Sequence, residues 1–133
     1  MKYLLDTCTV SDFVKGHKNT LNKIKMLSPS EIAISTITLM EIHYGLALNP
    51  SFAKKLHSVI NDFLNSIEII FFNEAHASQS ATIRALLKKQ GNLIGSYNVL
   101  LAGVALNEKF IFVTSNTSEF NRINGLVIEN WRV

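Results

Sequence analysis

Residues 2–6 read K-Y-L-L-D, three consecutive apolar side chains between a lysine and a carboxylate. A strand with one wet face alternates polar and apolar residues. An unbroken apolar run belongs instead to a strand covered on both faces, as in a parallel sheet between layers of helices. Runs of the same kind recur at 32–35 (I-A-I-S), 67–72 (I-E-I-I-F-F), 110–114 (F-I-F-V-T) and 126–128 (L-V-I). The stretches between them carry helical spacing. From about Ser51, the residues Phe52, Leu56, Val59, Ile60, Phe63 and Leu64 share one face, with Lys54, Lys55, Asn61 and Asp62 on the other. Asn73 caps a further helix whose Ile83, Leu86 and Leu87 turn inward. That helix carries Arg84, Lys88 and Lys89 in its later turns, where the dipole favours cations, and stops at Gly91. Shorter helices are expected over 11–15, 19–27, 38–48 and 96–108. Strands alternating with helices imply a three-layer α/β fold, a central parallel sheet of about five strands flanked by helices, in a single domain over 1–133. Sites in such sheets form outside the carboxyl ends of the strands, which directs attention to 6–9, 36–41, 73–74 and 115–119.

Composition narrows the class further. Hydrophobic residues make up 47% of the chain, with only six Gly and two Pro, so there is a core to bury and the disordered and collagen-like classes drop out. The longest apolar run, 99–106, is far shorter than the roughly 18 residues of a membrane span, and Asp6 interrupts any signal-peptide core. No membrane association is expected. Cys8 is the only cysteine, which rules out an internal disulfide and fits a reducing cytoplasm. A net charge of +3 is compatible with a polyanionic partner without requiring one. Asp is scarce, at Asp6, Asp12 and Asp62 only, so an Asp in an apolar context calls for a reason.

Several α/β chemistries lack their motifs. There is no GxGxxG after the first strand, no Walker A run and no GxSxG elbow, so the phosphate cradles and the serine nucleophile are missing. A phosphoaspartyl phosphatase would want Asp two residues after Asp6, where Cys8 stands. His17, His43, His57 and His76 have no ligand spacing and are expected at the surface. Four elements remain. Asp6, after Tyr3, Leu4 and Leu5, is a carboxylate at a buried edge that needs a helix N-terminus, a cation or a metal, and capping the next helix is its structural alternative. Glu41 lies among Leu39, Met40 and Ile42, and its spacing from Thr38 also matches a capping box. Asn98 opens a helix in I-G-S-Y-N-V-L-L-A-G, where Gly95 and Ser96 read as turn and cap and Ala102 and Gly103 as a close approach to the sheet. The segment 113–120, V-T-S-N-T-S-E-F, ends a strand in hydroxyls and amides followed by Glu119.

Together the segments L-L-D-T-C (4–8), I-S-T-I-T-L-M-E-I-H-Y-G (34–45), I-G-S-Y-N-V-L-L-A-G (94–103), V-T-S-N-T-S-E-F (113–120) and L-V-I-E-N-W (126–131) resemble the PIN-domain ribonucleases, specifically the VapC toxins of bacterial toxin–antitoxin pairs. The resemblance implies an acidic pocket at the carboxyl edge holding Mg²⁺ or Mn²⁺ and an RNA substrate, often tRNA. It assigns Asp6, Glu41 and position 98 to the metal, and Asn116 to a neighbouring catalytic position. Thr114, Ser115 and Glu119 support them, and Arg84 meets RNA phosphates. Position 98 departs from the family's Tyr-Asp pair, since the chain has Asn98. Loss of a charged oxygen donor there implies weakened metal binding and little or no hydrolysis. An engineered replacement that allows a toxic nuclease to be produced is the favoured origin, a naturally degenerate relative the other. The competing expectation is a non-catalytic PIN-like protein that retains only antitoxin or RNA binding. The family also implies a VapB-type antitoxin. The apolar faces of 38–48 and 51–64 exceed what one helix layer needs, so part of that surface, including Leu46, Phe52 and Leu56, is expected to seat it, and two chains are expected to pair as a homodimer that assembles further with it.

Overall fold

The computed structural model describes residues 2–133. Five strands, β1 (Tyr3–Leu5), β2 (Ile32–Ser35), β3 (Glu68–Ile70), β4 (Ile111–Val113) and β5 (Ile128–Glu129), form one parallel sheet in the order β3-β2-β1-β4-β5. Around it lie α1 (Thr7–Val14), α2 (Lys18–Lys25), α3 (Thr36–Leu48), α4 (Pro50–Ser66), α5 (Glu74–Lys89), α6 (Ser96–Glu108) and the single turn α7 (Thr117–Phe120). Among the described residues, no helix is long and apolar enough to cross a membrane.

The unbroken apolar runs are accounted for by two cores, one on each face. Successive strand residues point to opposite faces. Leu4, Ala33 and Phe112 enter a core shared with Ile83 and Leu87 of α5 and Leu101 and Val104 of α6. Their neighbours Leu5, Ile32, Ile34 and Val113 enter a second core with Val10 of α1, Phe63 of α4 and Trp131. Each such side chain, removed from water, stabilises the fold by about 1.5–3 kcal/mol, so neither face of the sheet is dispensable. Parallel strands end on a common edge. Asp6 follows β1 at the centre, Thr36 follows β2 and Thr114 follows β4.

Local sequence explains most helix starts. Proline occupies the first position of α4, and the Asn49 side chain accepts the Phe52 N–H there. Asn73 caps α5 as expected. Other expectations are corrected. The first helix begins at Thr7, four residues earlier than its apolar spacing suggests, because Asp6 accepts the Thr9 N–H and nucleates the turn over polar residues. Phe71 is exposed, since β3 is an edge strand and ends at Ile70; β5 begins at Ile128, leaving Val127 exposed. Leu86 and Val59, placed on apolar faces, are close to half exposed. His76 is fully buried instead of at the surface. Its Nδ1 takes the Asn73 N–H in a capping box, and its Nε2 lies 3.2 Å from Glu108 Oε2 on α6. Gly103 serves α5 rather than the sheet, since Ser80 Oγ occupies the niche its missing side chain leaves.

Candidate metal and nucleic-acid site

Asp6 is buried, and its position follows from both its neighbours. Its backbone N–H donates to the Val113 carbonyl (3.1 Å), so it stands between β1 and β4, and its Oδ1 accepts the Thr9 N–H (2.8 Å). The capping alternative is therefore realised, yet Oδ2 accepts no hydrogen bond among the described residues. Glu41 projects from the second turn of α3. Ser35, not Thr38, caps that helix by accepting the Thr38 N–H, so no capping box holds Glu41. Its Oε1 instead accepts the Thr7 hydroxyl at 2.7 Å, which ties it to the residue next to Asp6. Thr7 is a positioning group that sequence spacing did not mark.

The other half of the site is built on Glu119. Its carboxylate accepts the Asn116 amide at 2.5 Å, the Gly95 N–H at 2.8 Å, and the Asn98 amide at 3.4 Å on each oxygen. These bonds hold the Glu119 carboxyl below the usual carboxylate range, the Asn116 amide first and the Gly95 N–H second. Gly95, at the start of α6, has no capping side chain, and Glu119 of α7 takes its place by accepting its N–H. Thr114 is buried and its Oγ1 accepts the Asn116 N–H (3.0 Å), which shapes the turn after β4; Ser115 is half-buried between them. Asn98, Asn116 and Glu119 are thus one bonded cluster, and Thr7 and Glu41 form a second, bonded pair next to Asp6. Both sit at the carboxyl edge, and no hydrogen bond among the described residues joins them.

Arg84 is exposed on α5 and faces a groove with Phe72, Leu93, Ile94 and Ser96, at the end of α6 that carries Asn98. Leu46 and Phe52 line an apolar groove that begins at Thr7 and Glu41 and runs past Val10, Val14 and Ile60. Leu56 lies one turn further along α4, outside that lining.

Among the described residues, no three His, Cys, Asp or Glu side chains gather into a cage for a metal ion. The donors without a hydrogen-bond partner are Asp6 Oδ2, Glu41 Oε2 and the Oδ1 atoms of Asn98 and Asn116. All are oxygens, and two carry carboxylate charge. That set fits a hard divalent ion that keeps several waters, the usual habit of Mg²⁺, and does not fit a fully protein-ligated one.

A five-stranded parallel sheet with an oxygen-donor cluster at its carboxyl edge defines the class: the PIN domain family matches residues 3–126, and the chain belongs to it. Within that family it is a VapC-type member. It is 33% identical over 131 residues to the tRNA(fMet)-specific endonuclease VapC of Shigella flexneri, and 34% identical over 131 residues to ribonuclease VapC2 of Haemophilus influenzae, with 98% of each chain covered in both pairs. The fold superimposes with a TM-score of 0.90 on a chain of the VapBC2 crystal structure from Rickettsia felis, solved bound to a DNA fragment from their promoter. The two are 32% identical, covering 98% of this chain and 99% of that one.

Proposed function

We propose that the chain is the toxin of a type II toxin–antitoxin pair, with the fold of a metal-dependent endoribonuclease whose cleavage is weakened by Asn98. The observation that carries this reading is the donor set at the carboxyl edge, where Asp6 and Glu41 each keep one carboxylate oxygen free of hydrogen bonds among the described residues and Glu119 holds the amides of Asn98 and Asn116. Asp6, Glu41 and the Asn98 carbonyl would hold Mg²⁺ or Mn²⁺. An ion bound there would supply a water of lowered pKa and charge neutralisation at the scissile phosphate. The chain's own side chains do the positioning. The Thr9 N–H fixes one oxygen of Asp6 and leaves the other outward; the Thr7 hydroxyl does the same for Glu41. Glu119 aligns Asn98 and Asn116, while Thr114 and Ser115 shape the turn beneath the substrate. Arg84 meets a backbone phosphate. The substrate is RNA, and tRNA is the class suggested by the name of the Shigella flexneri relative.

The apolar groove at Leu46 and Phe52, with Leu56 beside it, seats a VapB-type antitoxin, and two chains pair as a homodimer in the cytoplasm. A second reading, a non-catalytic protein that keeps only antitoxin or RNA binding, is favoured by one observation. The Asn98 NH₂ donates to Glu119, so a neighbouring side chain already orients the amide. The deciding experiment compares the chain, Asn98→Asp, and Asn98→Asp combined with Asp6→Asn, on RNA with Mg²⁺ and with EDTA. The expected result is cleavage at least about tenfold faster for Asn98→Asp, abolished by EDTA and by the second substitution, since about 1.4 kcal/mol of added charge stabilisation is tenfold in rate. A folded Asn98→Asp variant that binds metal and is as inert as the parent would give the second reading its place.

A further inference from the structure

Beyond the acids and Arg84, the structure fixes one more guanidinium beside the carboxyl edge. β5 runs parallel to β4, and the Thr114 N–H donates to the Glu129 carbonyl (2.9 Å), so the chain leaves the sheet next to the candidate site. It then turns across α1. Trp131 is buried, its Nε1–H donates to Glu129 Oε1 (2.9 Å), and its ring lies 5.7 Å from that of Tyr3. The Arg132 N–H donates to Asn130 Oδ1 (3.0 Å), and its carbonyl accepts the Asn19 amide (3.2 Å). With its backbone pinned on both sides, Arg132 sends its guanidinium onto Asp12 as a fork, Nε to Oδ2 at 2.7 Å and Nη2 to Oδ1 at 3.1 Å.

The fork uses only two of the five N–H donors of the guanidinium. The others have no partner among the described residues, and the side chain is 47% exposed whereas that of Asp12 is 16% exposed. Asp12 thus serves as a holder, and the outer edge of the guanidinium is presented to solvent in one orientation. Such a planar, pre-oriented fork suits a phosphate better than a mobile lysine does. Its place on α1 matters. Asp12 lies one turn after Cys8, and Asp6 caps the same helix, about 9 Å away along the axis at 1.5 Å per residue. The Thr7, Val10 and Val14 face of α1 lines the apolar groove, while Cys8 and Asp12 stand on the neighbouring face. A strand on that face would leave the groove free. The guanidinium is charged in any case, and the bond to Asp12 pushes its pKa further up.

We propose that Arg132, held by Asp12, binds a phosphate of an RNA strand that crosses the Cys8–Asp12 face of α1 on its way to the carboxyl edge. The proposal rests on the RNA reading above. It is tested by binding of a fluorescein-labelled single-stranded RNA to the full chain over a range of salt concentrations. Arg132→Gln is expected to weaken binding about tenfold at low salt and to reduce the slope of log affinity against log salt by about 0.7, the contribution of one single-strand phosphate. Asp12→Asn is expected to weaken it as well, by less than Arg132→Gln, since the guanidinium keeps its charge but loses the carboxylate that fixes its orientation. In the unsubstituted chain, the same RNA is expected to slow alkylation of Cys8, the only thiol, and this readout stands even if the variants fold poorly. If the parent binds RNA while Arg132→Gln keeps its affinity and slope, or while Cys8 reacts at an unchanged rate, the pair is only a strap for the tail and the proposal falls. If the parent binds no RNA, the RNA reading itself fails.

Discussion

Glu119 accepts bonds from three groups, the Asn116 amide beside it and the Gly95 N–H and Asn98 amide at the start of α6, and each favours its charged form. A carboxyl held below its ordinary range in the folded protein adds stability that is complete above the unfolded value, about 4.3, and is lost as pH falls through the folded one. Glu119→Gln is therefore expected to cost about 1–2 kcal/mol near neutral pH, because charge-assisted bonds become ordinary ones. It is also expected to flatten the decline of stability toward acid. Urea unfolding of both chains between about pH 3 and pH 7 measures this, and parallel acid limbs would show that Glu119 contributes nothing specific. The candidate residues themselves were legible from motif position, but the central role of Glu119 was not. Its partners lie 24, 21 and 3 residues away, and only the return of β4 to the start of α6 brings the first two within reach.

At the scale of elements, α5 and α6 meet through a glycine. A Cβ on Gly103 would stand 2.0 Å from Ser80 Oγ and 3.1 Å from the His76 carbonyl, closer than side chains approach without movement. Gly103→Ala is expected to destabilise by about 1–3 kcal/mol through overpacking. Ser80→Ala removes the worst of that contact along with a buried hydroxyl that has no partner, so the double variant should regain part of the loss while His76 keeps it below the parent. Thermal or urea melts of the four chains form a double-mutant cycle, and strictly additive costs would locate the strain elsewhere. The existence of the strands and their place in a parallel sheet covered on both faces were readable because burial on both faces leaves unbroken apolar runs, whereas their order across the sheet was not. The start of α1 was not, because its first turn is set by a carboxylate bond over Thr7, Cys8 and Thr9, where no apolar spacing exists. His76 escaped notice for a related reason: a histidine three residues after a capping Asn resembles any polar helix residue until Glu108 arrives from α6.

Across the whole molecule, the end of the chain is packed against its beginning. Trp131 is 2% exposed, lies in the core that holds Leu5, Val10 and Phe63, and sits beside Tyr3 of the central strand. Trp131→Ala is expected to cost about 3–5 kcal/mol, a large part of the stability of a domain this size, as measured by circular dichroism during urea unfolding. A loss under 1 kcal/mol would mean that the tail is a passive cover. The sheet repeats this arrangement in its register, with Tyr3 paired to Ile111 and Leu5 to Val113, contacts that span almost the full length of the chain. Contacts between such distant segments cannot form until both exist, and a chain made on the ribosome delivers β1 long before β4. Asp6 and Glu41 emerge early, but the turn bearing Asn116 and Glu119 does not. A chain still being translated therefore carries Asp6 and Glu41 before the edge they stand on is completed, and that edge closes only when β4 comes to lie beside β1.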